Sequence, residues 1–169
     1  MVGYSEVLQT IGAMIIFSLI LLSATSMIQR NTYMQIEGEL EQEVIALAQD
    51  VIEEARTLEF DQVSVDATTP PKEIPGDFTS PTGLGPGSAT ERSQFDDFDD
   101  FNDWEDVIET EHGKFNIRAE VFYVNDNFNK VDYRTTFKKL KVYISSKYLD
   151  NKEDNSEYSL EFVRNYYAD

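Results

Sequence analysis

Carboxylates crowd into one short stretch of this chain. Asp96-Asp97-Phe98-Asp99-Asp100-Phe101 is followed by Asp103, Glu105 and Asp106. Oxygen ligands at that density could bind Ca²⁺, a hard cation that takes several carboxylate and carbonyl oxygens. Asp97, Asp99, Asp100 and Asp103 are the candidate ligands. The spacing of an EF-hand loop is not met: counting from Asp97 or from Asp99 puts Phe101 on a ligand position. The plainer alternative is a solvated acidic turn, and the failed spacing favours it. No cofactor other than this Ca²⁺ is expected. His112 is the only histidine, it stands beside Gly113, and no cysteine exists to join it. No glycine-rich phosphate cradle follows a strand pattern. An enzyme is the least expected class.

One further carboxylate stands apart. Glu6 precedes an uncharged run from Val7 to Gln29 in which Ile11–Leu22 is almost wholly apolar. That run has the length a membrane-spanning helix needs, roughly 20 predominantly apolar residues. It is apolar on every face, unlike the surface helix of a soluble domain. A cleaved secretory signal would carry basic residues first, and nothing before Arg30 is basic. A lone carboxylate at the edge of such a helix is costly in lipid and calls for a partner.

The elements that position these residues follow from periodicity. No proline occurs before Pro70. Past the apolar run, Leu40, Val44, Leu47, Val51, Ala55 and Leu58 step by three or four, giving one apolar stripe. One helix is therefore predicted to cover at least residues 10 to 55. All the prolines lie between Pro70 and Pro86, a long irregular connection. Phe95, Phe98, Phe101 and Trp104 then recur every third residue, as in tight 3₁₀-like turns. These aromatics are expected to anchor the loop while the acids face outward. From Lys114 the period becomes two, with Phe115, Ile117, Ala119, Val121 and Tyr123 on one face, then Leu140, Val142 and Ile144, then Tyr158, Leu160 and Phe162. Asn125-Asp126-Asn127 and Asp150-Asn151-Lys152 with Asp154-Asn155 read as the turns of an antiparallel meander.

The expected fold is α+β: a long N-terminal helix, apolar and then amphipathic, packed on a C-terminal antiparallel sheet. Residues 1–30 form the apolar helix and 31–169 an acidic extracytoplasmic head. Within the head, 31–60 are amphipathic helix, 61–113 loop, and 114–169 sheet. The net charge of −18 over 169 residues repels phosphates, so no nucleic-acid contact is expected.

This outline resembles the type IV pilins and the pseudopilins of type II secretion. Glu6-Val7-Leu8 before the apolar run is similar to that family's glutamate-containing start of the mature chain. Leu47-Ala48-Gln49-Asp50, with Glu53-Glu54-Ala55-Arg56 and Phe60-Asp61, resembles the helix end of minor pilins. Asp96-Asp97-Phe98-Asp99-Asp100-Phe101-Asn102 resembles an acidic-aromatic turn in some of them. With Met1 removed, Glu6 becomes the fifth residue, as in the family; cleavage after Gly3 would make it the third. The family's proline within the apolar half and the disulfide-bounded loop of many major pilins are absent.

The resemblance implies a structural subunit of an extracellular filament, held in the inner membrane before assembly and at the cell surface afterwards. Its partner would be itself, as a helical homopolymer. Glu6 would pair with a neighbour's N-terminal amine and set the register. Ile11, Ile15, Leu19 and Leu22 would pack helix on helix in the filament core. Charge segregation adds an expectation: Lys138, Lys139 and Lys141, with Lys147, would face Asp96, Asp97, Asp99 and Asp100 of a neighbouring head. The alternatives are a minor pseudopilin of a secretion system and a monomeric membrane-anchored acidic binding domain.

Overall fold

The computed structural model describes residues 3–65, 71–147, 149 and 157–168. The chain divides into two compact units, Met1–Glu41 and Gln42–Asp169. One helix, α1 (Tyr4–Thr57), begins in the first unit and ends in the second. Its continuity follows from the absence of proline and of any adjacent glycine pair. The helix starts on Gly3, whose carbonyl accepts from the Glu6 and Val7 amides at 3.0 and 3.3 Å. Glu6 carries its negative charge in the first turn, where the helix dipole favours it. Three hydroxyls inside the apolar half bond back to the helix. Thr10, Ser18 and Thr25 donate to the carbonyls of Glu6, Met14 and Leu21 at 2.7, 2.7 and 2.9 Å. Such back-bonding lets small polar residues sit in an otherwise apolar helix.

In the second unit the helix becomes one-sided. Val44, Ala48, Val51, Ile52 and Ala55 are buried, while Gln42, Gln49, Asp50 and Glu53 stay exposed. Leu47 and Leu58 of the expected stripe are half-buried. This face packs on a four-stranded antiparallel sheet of order β1-β2-β3-β4. The strands are β1 (Glu105–Thr110), β2 (Gly113–Tyr123), β3 (Phe137–Ser145) and β4 (Glu157–Asn165).

The expected alternation holds in β2 and β3. Phe115, Ile117, Ala119, Val121 and Tyr123 are buried, as are Leu140, Val142 and Ile144. The register sets Ile117 opposite Ile144, Ala119 opposite Val142 and Val121 opposite Leu140. In β4, Tyr158, Leu160 and Phe162 are half-buried and alternate with exposed Ser159 and Glu161. The turn expected at Asp150–Asn155 lies outside the described residues.

Two expectations need correction. Residues 61–113 are not all loop, because β1 forms inside them and pairs with β2 from Glu105–Arg118 to Thr110–Gly113. Its sequence, EDVIET, hides the strand behind acids, a composition suited to an exposed sheet edge. Gly113 closes the tight turn with φ 131°, a conformation that favours glycine. The second correction concerns the acidic turn. Phe98–Phe101 is a 3₁₀ helix, as the spacing implied, but Asp97, Asp99 and Asp100 are buried with the rings.

Candidate functional site

The acids of the 3₁₀ turn are held inward by the backbone itself. Asp97 is the N-cap, and its Oδ1 accepts from the Asp99 and Asp100 amides at 2.8 and 3.2 Å. Asp100 reciprocates, with Oδ2 accepting from the Asp96 and Asp97 amides at 2.8 and 3.4 Å. Such a box satisfies helix-end donors that would otherwise be orphaned. The turn is clipped to the end of α1, since Phe98 N–H donates to the Glu59 carbonyl at 2.8 Å. It is clipped to β2 through Asn102, whose Oδ1 accepts from the Val121 amide at 2.9 Å.

Asp99 points the other way, to Lys138. The phase of β3 that buries Leu140, Val142 and Ile144 also places Lys138 inside. Its ammonium donates to Asp61 Oδ2 at 2.7 Å, to the Phe60 carbonyl at 2.9 Å and to Asp99 Oδ1. The ammonium also lies 4.7 Å from the Phe60 ring centroid and 5.4 Å from that of Tyr123, within cation–π range. Asp61 accepts further from the Thr79 amide at 3.0 Å, the Thr79 hydroxyl at 3.0 Å and the Tyr123 hydroxyl at 3.3 Å. The network therefore joins the end of α1, the proline-rich connection, the acidic turn, β2 and β3.

Packing this many carboxyls in a dry place shifts their protonation. Burial, with the nearby charges of Asp99 and Asp100, pushes Asp97 up to about 8, against the pull of Lys138. Burial also raises Asp99, opposed by the adjacent Lys138. Asp100 is raised by burial and held back by the two backbone donors at its carboxylate. Burial, followed by the Asp61 and Asp99 charges, raises the Tyr123 phenol well above its usual range. Near neutrality Asp97 is thus mostly protonated, beside Asp99, which meets the Lys138 ammonium.

The candidate cation ligands separate. Asp96, Asp97 and Asp100 each bring one carboxylate oxygen within 4.8 Å of the others, a spacing a cation could use. Asp99 is committed to Lys138, and Asp103 is exposed with φ 60°. The residues cast as inter-subunit charges also fall differently. Lys138 is fully buried and so cannot face a neighbour. Lys139 and Lys141 lie on the other face of β3 and meet Glu161 at 2.9 and 3.2 Å. Both interactions hold the Glu161 carboxyl below its usual range.

In the first unit, Glu6 Oε2 accepts from the Gly3 amide at 3.3 Å. Ile11, Ile15, Leu19 and Leu22 are 52–66% exposed. So are their neighbours Ile16, Phe17, Ile20 and Leu21, which turns the apolar surface around the whole helix. This helix is long and apolar enough to cross a membrane.

No family model, curated protein or solved structure matches this chain. The site therefore rests on its own geometry. His112, the lone histidine, pairs through Nδ1 with Glu43 at 2.7 Å and ties the β1–β2 turn to α1. Sequence reasoning missed Asp61, Tyr123 and the inward role of Lys138. The phase of Lys138 with Leu140 and Val142 was a usable signal. Asp61 offered none, because its partners come from segments far along the chain.

Proposed function

We propose that the chain is a structural subunit of a type IV pilin-like extracellular filament that polymerises through the apolar half of α1. One observation carries the reading: an unbroken helix whose first part exposes apolar residues on all sides and whose last part is buried on a folded acidic unit. An all-round apolar helix needs lipid or protein on every side. Membrane insertion supplies lipid before assembly, and neighbouring copies of the same helix supply protein afterwards. A head-to-tail contact that does not close on itself gives an open helical polymer. In that polymer a neighbour's N-terminal amine would neutralise Glu6 in the dry core and set the axial register.

A monomeric anchored domain binding through the acidic turn draws less support. That reading needs outward carboxylates, and Asp97, Asp99 and Asp100 face inward. The test is imaging of material sheared from the cell surface, with mass spectrometry to identify its subunits. Filaments containing this chain are expected. Recovery of the chain only as a detergent-solubilised monomer would reject the polymer.

A further inference from the structure

The buried Lys138 cluster has the parts of a condensation reaction. A lysine amine and a carboxyl, dehydrated and held in contact, can join as an amide when other groups carry the protons. The amine is Lys138 Nζ, wholly buried and flanked by Phe60 and Tyr123. Two carboxyls touch it, Asp61 and Asp99. They are not equivalent. Asp61 is fixed as an acceptor by Val63, Thr79 and Tyr123 donors, and bonding there would disturb all of them. Among the described residues Asp99 has no such set of backbone donors on its side chain, and the side chain of Asp97 hydrogen-bonds it instead. We propose that Lys138 and Asp99 form an intramolecular isopeptide bond, with Asp97 and Asp61 carrying protons.

The balance is a loss of one water. Lys138 passes one ammonium proton to Asp61, and the free amine attacks Cγ of Asp99. Asp97 protonates an oxygen of that carboxyl as the tetrahedral centre forms. The C–N bond forms and one C–O bond breaks. The second nitrogen proton and the one held by Asp61 end on the departing oxygen and on Asp97, so both helper acids are restored. No oxidant or co-reactant is needed. Holding the reacting groups in contact can be worth effective concentrations on the order of 10⁵–10⁸ M. The product also removes two charges from a buried site, where an ion pair is costly to desolvate. Asp97 is suited to its part because burial and its acidic neighbours keep it protonated near neutrality.

The bond would link β3 to the acidic turn at the end of α1, whether or not the chain polymerises. The test is mass spectrometry of the full chain purified in detergent, with Lys138→Arg as the reference that keeps the charge but cannot condense. Relative to that variant, after correcting for the substitution, the wild type is expected to be lighter by one water. Tryptic digestion should yield a branched species joining the segment with Asp99 (93–114) to the segment with Lys138 (135–139). Asp97→Asn retains a capping side chain but cannot deliver the proton, and should show the full mass. A wild type of full mass with only linear peptides overturns the proposal. A branch to the segment with Asp61 (57–72) overturns the assignment of Asp99.

Discussion

Lys138 and Asp61 meet at 2.7 Å with both side chains wholly removed from solvent, although 77 residues separate them in sequence. A buried ion pair of this kind is weak evidence of net stabilisation, but removing one member is severe because the other is left uncompensated. Lys138→Met keeps the length of the side chain and removes its charge. It leaves Asp61 and Asp99 facing each other across an apolar gap. The expected cost is about 3–5 kcal/mol, read as a lowered urea midpoint of the full chain in detergent. A midpoint unchanged from wild type would show that the network carries no structural weight.

The protonation of Asp97 gives a pH dependence with a definite sign. Its folded value is raised from 3.8 to about 8. Between those values the folded chain holds a proton that the unfolded chain has lost, so stability falls as pH rises. This contribution is complete below the unfolded value and is gone once pH passes the folded one. Unfolding midpoints measured from pH 5 to 9 are expected to decline more in wild type than in Asp97→Asn. Equal slopes in the two proteins would remove Asp97 as the cause.

Arg164 fastens the end of α1. Its guanidinium donates to the carbonyls of Leu58 and, at 3.2 Å, Glu59, and it lies 5.7 Å from the centroid of the Phe98 ring. Cations are favoured at helix C-termini, where carbonyls lack partners. Arg164→Ala is expected to cost about 1.5–3 kcal/mol, the range for hydrogen bonds to charged groups. Hydrogen exchange of the 51–57 amides should speed up most. An effect spread evenly over the sheet would contradict a local clasp.

The apolar core gives a simpler expectation. Leu140 lies fully buried opposite Val121 and Phe162 on its two neighbouring strands. Leu140→Ala should cost roughly 2–5 kcal/mol, seen as a lowered thermal midpoint. The neighbouring Lys141→Ala, on the other face, should change it little. The reverse order would mean the strand is turned over.

Much of this architecture was readable in advance, and the gaps have physical reasons. α1 showed itself through missing prolines and a change from uniform to one-sided apolarity. Strands β2 and β3 showed themselves through alternation. β1 did not, because an edge strand needs few apolar residues and Glu105, Asp106 and Glu109 masked its period. An outward acidic turn is the natural expectation, because charge normally seeks water. Backbone donors at Asp97 and Asp100, and a lysine at Asp99, instead make burial tolerable. Asp61 lay beyond local patterns altogether: its partners Thr79, Tyr123 and Lys138 meet it only once the chain has folded.

On the proposed assembly through α1, Glu6 is the residue most sensitive to substitution. Glu6→Ala removes the charge that a neighbour's amine would meet, while the fold of 42–169 is left unchanged. Filament yield in sheared material is expected to fall sharply at equal amounts of membrane-held subunit. High salt should leave wild-type filaments intact, since screening lengths near 3 Å at 1 M weaken exposed charge contacts but not an apolar core. Undiminished filaments from the Glu6→Ala chain would remove that residue from assembly.

The central claim, that neighbouring copies pack through the apolar half of α1, can be read by cross-linking. The chain has no cysteine, so Ile11→Cys together with Leu22→Cys introduces thiols only on the exposed stripe. A bismaleimide added to cell-surface material from the double variant should produce a ladder of covalent multimers. The same pair placed at exposed Gln49 and Glu53 should give none. Monomers alone from the Ile11 and Leu22 pair, in material that contains the subunit, would contradict packing through this helix.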